Sequence, residues 1–145
     1  MFKIKNFIIF SLLIIIMHSS AYAQKYVQIS TEKQQDSKDI IIYEFFWYGC
    51  PHCFNLEPTM DRIEADLEND TKIMKIPVAL RQSWMPHAKL YYALEQMDKI
   101  DEMHNLIFEE IHLENNRLIT EEQIVSFLGQ HGIDTEKFLE KFNSF

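Results

Sequence analysis

The sequence predicts an α/β chain in which two parallel strands bracket one helix and a run of helices follows. Three observations predict it. Ile40 to Trp47 is a continuous β-branched and aromatic run of the length and kind expected for a strand buried on both faces of a sheet. Leu56, Met60, Ile63 and Leu67 then recur at helical spacing, the pattern of an amphipathic helix ending near Asn69. Ile73 to Ala79, with Pro77 inside it, reads as a second strand, and strand, helix and strand together imply a parallel pair.

Ahead of this unit, Tyr26 to Ile29 reads as a short strand and the polar run Ser30 to Asp39 as the loop after it. Gly49 permits a tight turn after the main strand, and Pro51 suits the first turn of the helix, where its missing N–H has no partner to lose. Pro58 is expected to kink that helix. Beyond the second strand, Pro86 starts a helix through Met97 and Ile100 to Leu113 gives another. Thr120 with Gln123 has the form of a capping box for a third, and Asp134 caps a fourth. No repeat or low-complexity segment interrupts this order.

With 145 residues, 47% hydrophobic and 25% charged, the chain has the composition of one globular domain. Its first 23 residues stand apart. Lys3 and Lys5 precede an apolar stretch from Phe7 to Met17, and Ala21-Tyr22-Ala23 supplies the small-x-small pattern of a signal peptidase site, so cleavage before Gln24 is expected. The alternative, a retained membrane anchor, needs about 20 apolar residues, more than this stretch offers. No cysteine lies near the cleavage point to carry a lipid. Losing Lys3 and Lys5 from 14 basic residues against 22 acidic ones moves the formal charge from −8 to −10. An acidic exported domain with no basic run has no electrostatic means of holding nucleic acid or an anionic membrane face.

Export places the chain where disulfides persist, yet two cysteines separated by two residues cannot staple a domain. Cys50 and Cys53 therefore read as chemistry. A Cys-x-x-Cys pair that follows a strand and opens a helix is the thioredoxin-like redox arrangement. At the helix start the Cys50 sulfur meets unpaired N–H groups and the positive end of the helix dipole, which lower its pKa. Cys53, one turn further in, is expected to be buried and less reactive. His52, between them, can donate a hydrogen bond or a charge to the Cys50 thiolate, or can be an ordinary exposed residue. A stable thiolate leaves easily, which makes the disulfide form oxidising.

Zinc is the rival reading, with His87, His104, His112 or His131 completing the ligand set. No second Cys pair or closely spaced His pair supports it, and these four read instead as solvated helix residues. Glu44 interrupts an apolar strand, which points to a buried carboxylate of raised pKa able to relay protons beneath Cys53, or to an edge residue facing water. Lys75, on the neighbouring strand, either neutralises Glu44 or is solvated. Phe45, Phe46, Trp47 and Tyr48 read mostly as core, with Trp47 or Tyr48 available to rim a peptide-binding surface.

The segment Glu44-Phe45-Phe46-Trp47-Tyr48-Gly49-Cys50-Pro51-His52-Cys53 resembles the active-site segment of the DsbA family, and the match spans roughly Tyr26 to Phe145. Pro58, five residues after the second cysteine, matches the kink proline of thioredoxin-like folds. The resemblance implies a thioredoxin-like α/β fold with an inserted helical domain: residues 24–79 as the thioredoxin-like N-terminal half and 80–145 as the helical insertion. It implies Cys50 as nucleophile within the Cys-Pro-His-Cys motif that includes Pro51, Cys53 as its buried partner, His52 as thiolate stabiliser, and Glu44 with Lys75 as the buried pair. The expected activity is periplasmic thiol oxidation, with no cofactor beyond the Cys50–Cys53 disulfide. Reduced exported proteins are the expected substrates, and a membrane quinone-linked reoxidase of the DsbB type is the expected electron acceptor. An isomerase or reductase on the same scaffold is the alternative. An isomerase usually needs a dimer, and no separate dimerisation domain fits before Ile40.

The family continues past its helical insertion into two more strands and a helix, with a cis-proline loop facing the cysteines. The prolines here are Pro51, Pro58, Pro77 and Pro86, and none follows the helical block. A truncated member lacking the C-terminal strands and helix is therefore expected, with a catalytically incompetent fragment as a further alternative.

Overall fold

The computed structural model describes residues 40–145, so the leader at 1–23, the strand at Tyr26 to Ile29 and the loop to Asp39 lie outside the described residues. Strand β1 (Ile40–Phe46) pairs in parallel with β2 (Thr71–Pro77), in a register running from Ile40 opposite Thr71 to Phe46 opposite Pro77. Between them lies helix α1 (Pro51–Ala65), so the βαβ unit forms from the residues that predicted it. Its hydrogen-bond ladder continues past β2, where the Val78 N–H donates to the Phe46 carbonyl at 2.8 Å.

A short 3-10 turn at Gln82–Trp84 leads into α2 (Met85–Glu95), which is followed by α3 (Ile100–His112), α4 (Glu121–Gln130) and α5 (Thr135–Phe142). Helix α4 opens on a complete capping box: the Thr120 hydroxyl accepts from the Gln123 N–H while the Gln123 side chain accepts from the Thr120 N–H. Asp134 caps α5 through its bond from the Lys137 N–H at 3.1 Å. Both caps satisfy N–H groups that the first helical turn leaves without partners. Among the described residues no helix is long and apolar enough to cross a membrane.

The core lies among the helices, and the strand end plugs into it. Leu90, Leu94, Met103, Ile107, Phe108, Ile124, Leu128 and Phe138 are sealed from solvent, and Phe46 and Tyr48 join them from the end of β1. Phe46 meets Tyr48, Tyr91 and His104 edge-on at centroid distances of 5.1, 5.6 and 5.1 Å, the arrangement that aromatic quadrupoles favour.

Two expectations are corrected. Strand β1 is not buried on both faces among the described residues: Glu44 and Phe46 are covered, whereas Tyr43 and Phe45 are 50% and 66% exposed. An apolar run states what a strand can bury, while burial needs a layer packed on each face, and the described residues supply one. Helix α1 also turns differently from its apolar stripe. Leu56 and Ile63 are exposed and Glu57 is its buried residue, because polar partners for a carboxylate wait on that side. The helix runs unbroken through Pro58 and ends at Ala65, short of Asn69.

Candidate active site

Cys50 occupies the N-cap of α1 in extended backbone, and its sulfur accepts the Cys53 N–H at 3.4 Å. The turn that brings it there is closed by the Cys50 N–H donating to the Trp47 carbonyl at 2.9 Å. Gly49 is required at its place, because a Cβ would land on the Trp47 indole. That indole in turn stacks on Trp84 at 4.1 Å and 11°. Trp47 is thus a half-buried platform beside the helix start rather than core.

Both cysteines are free and half-buried, so Cys53 is less covered than the sequence predicts, but their environments differ. Partial burial works to raise the Cys50 thiol, but the hydrogen bond with the Cys53 side chain and the backbone N–H groups of Cys53 and His52 outweigh it, leaving Cys50 below the ordinary thiol value. Burial, the Cys50 side chain and the Glu44 charge push Cys53 up to about 11. The first thiol is therefore the more readily ionised of the two, and the second the one that holds its proton. His52 contributes its N–H to this, while its imidazole sits exposed and, among the described residues, without a hydrogen-bond partner.

Behind the cysteines lies a buried chain of polar groups that the sequence reading only partly found. Lys75 donates to Glu44 Oε2 at 3.1 Å and to Glu57 Oε2 at 2.9 Å. His104 Nε2 lies 3.1 Å from the same Glu57 oxygen, and its Nδ1 lies 2.9 Å from the Tyr48 hydroxyl. Burial raises the Glu44 carboxyl further than Lys75 can lower it. For Glu57 the balance reverses: burial raises it, but the bonds from His104 and Lys75 bring it below the usual carboxylate value. Lys75 is lowered by burial and raised more by Glu57 and Glu44, so it stays charged. The Tyr48 hydroxyl, fully buried, is held far from ionising by desolvation.

Of the four histidines read as solvated helix residues, His87, His104, His112 and His131, only His131 is exposed, which corrects a further expectation. His87 is 2% exposed and bonds the Arg117 carbonyl at 2.9 Å. His112 donates to the Tyr48 carbonyl at 2.8 Å and stacks on Phe54 at 4.8 Å. His87, His104 and His112 are thus each held by hydrogen bonds to protein groups, and no cluster of three or more metal-ligating side chains occurs among the described residues. Glu57 and His104 were missed. Each left a signal: Glu57 stands one turn beyond Cys53 on the same helix face, and His104 falls within the apolar stripe of Ile100, Met103, Ile107 and Phe108.

Seating one thiol on a helix N-terminus and sinking the second behind it, within a strand-helix-strand, is the arrangement of the thioredoxin-like redox proteins, here with a helical block added after the second strand. No family model matches the chain. Curated relatives do: it is 38% identical over 104 residues to the thiol:disulfide interchange protein DsbA of Burkholderia cepacia, covering 72% of this chain and 49% of that one. It is 38% identical over 124 residues to DsbA of Pseudomonas aeruginosa, covering 84% and 58%. The crystal structure of Pseudomonas aeruginosa DsbA superimposes with a TM-score of 0.72 at 37% identity, over 82% of this chain and 62% of that one. The chain belongs to the DsbA family of thiol:disulfide interchange proteins, and it spans about half to three fifths of the length of these relatives.

Proposed function

We propose that the chain is an exported dithiol oxidase that works through the Cys50–Cys53 pair of its Cys-Pro-His-Cys motif. The observation that carries this reading is the split between the two thiols, Cys50 lowered at the helix N-cap and Cys53 pushed up to about 11 behind it. A substrate thiolate attacks the Cys50 sulfur of the oxidised pair, and a substrate–Cys50 disulfide forms as the Cys50–Cys53 bond breaks. The electron pair goes to Cys53, which takes a proton. A second substrate thiolate then attacks the substrate sulfur of the mixed disulfide and expels Cys50 as a stabilised thiolate. The substrate leaves with a disulfide and the enzyme as a dithiol.

Pro51 holds the first turn of α1 in helical geometry, and His52 sets its imidazole at the surface of the same turn. Residues 1–23 act as the export leader and the periplasm is the working compartment, with residues 24–79 as the thioredoxin-like half and 80–145 as the helical domain. Reduced exported proteins are the substrates, and a quinone-linked membrane reoxidase of the DsbB type restores the disulfide. Purified chain, oxidised and freed of oxidant, is expected to pass its disulfide to a reduced dicysteine peptide in near-stoichiometric yield. A folded sample that transfers nothing would overturn the oxidase reading and leave a non-catalytic piece of the family's fold. Faster rescue of a scrambled substrate than oxidation of a reduced one would favour the isomerase instead.

A further inference from the structure

Two carboxylates, Glu44 and Glu57, share one ammonium, Lys75, in a buried site. A second uncompensated negative charge there is strongly disfavoured, so one carboxyl tends to keep its proton. Which one is decided by hydrogen bonds from outside the pair. Glu57 Oε2 receives two donors, Lys75 and His104, whereas among the described residues Glu44 receives Lys75 alone.

The His104 donor is itself fixed. Tyr48 is fully buried, and among the described residues its hydroxyl has one hydrogen-bond partner, His104 Nδ1. Its O–H would be left unsatisfied unless it donates there, so Nδ1 is the acceptor and the ring proton sits on Nε2, facing Glu57. Phe46, Tyr91 and Phe108 surround the ring edge-on at 5.1, 6.2 and 5.3 Å. A cleft of about 220 Å³ lined by Asp61, Glu64, Lys75, Asp101 and His104 opens beside the chain, giving its protons a way to solvent.

We propose that His104, held in one tautomer by Tyr48, is a positioning residue that makes Glu57 the ionised carboxylate of the pair and leaves the retained proton on Glu44. In the proposed reaction Cys53 takes up a proton as the Cys50–Cys53 bond breaks, and of the two buried carboxyls Glu44 is the one with a proton to give. The helical block thereby sets the proton supply of a site built on the strand-helix-strand unit. This rests on the reading of Cys53 as the thiol released in the first step.

The test is a carboxyl carbon-13 NMR titration of the full chain in its reduced form, with Glu44→Gln and Glu57→Gln assigning the two resonances. Glu57 is expected to ionise at lower pH than Glu44, by roughly two pH units for a buried interacting pair. His104→Leu removes the second donor and is expected to reverse or abolish that order. His104→Gln keeps an N–H at the same reach and is expected to restore it. Glu44 ionising at or below the pH of Glu57 in the unaltered chain would overturn the proposal, as would an order untouched by His104→Leu. Should His104→Leu fail to fold, Tyr48→Phe decides: releasing the tautomer must narrow the gap, and an unchanged gap counts against the role given to His104. The titration needs no disulfide transfer. An expected order in a chain that oxidises no peptide therefore sinks the oxidase reading alone, and the converse result sinks only the role of His104.

Discussion

Cys50 and Cys53 are three residues apart and chemically unlike, because one turn of helix separates a sulfur bathed in N–H groups from one behind it. Alkylation of the reduced protein should therefore be biphasic in pH. Cys50 should react with a midpoint below that of an ordinary thiol, and Cys53 should resist until the pH approaches about 11. Thiolate ultraviolet absorbance checks both, and a single step would refute the assignment. Because Cys50 is depressed in the folded state, it contributes stability that is present above its unfolded pKa and lost as pH falls through the folded one. Lys75 is the other residue whose removal is informative. Lys75→Met would leave the ionised Glu57 carboxylate buried without its ammonium, and breaking such a pair costs about 3–5 kcal/mol. The loss should be largest near neutral pH and shrink toward acid, where Glu57 takes up a proton. Denaturant melts across pH read it, and a pH-independent loss would show that packing, not charge, was removed.

Elements announce their ends more reliably than their faces. The capping box at Thr120 and Gln123 and the cap at Asp134 are legible because a cap is a contact between residues three apart. Thr120→Ala should lower stability by about 1 kcal/mol, measured by urea unfolding, with little change in the chemistry of Cys50. Faces are less legible. Helix α1 carries an apolar stripe at Leu56 and Ile63 and yet buries Glu57, since the side that packs is chosen by what stands opposite, here Lys75 and His104. The same reason explains β1, whose Tyr43 and Phe45 lie open while Glu44 is covered.

At the scale of the whole molecule, the strand end is the join between the strand-helix-strand unit and the helical block. Phe46, 1% exposed, touches Tyr48, Tyr91, His104 and Phe108 across that join. Phe46→Ala should cost about 3–5 kcal/mol and, by loosening His104 against Glu57, should also bring the ionisation of Glu44 and Glu57 closer together. Calorimetry and the carboxyl titration read the two effects, and a purely thermal change would separate the join from the proton chain. From Ile40 onward the sequence by itself determined the element order, the parallel pair, the helix caps and the cysteine pair at a helix start, all features written in neighbouring residues or in a short period. Only the tertiary structure decided that Tyr48, Glu57 and His104 belong to the site. His104 lies 56 residues from Tyr48 and 47 from Glu57, and contacts at that separation follow from how α3 packs on α1 and the strand end, which no local pattern records.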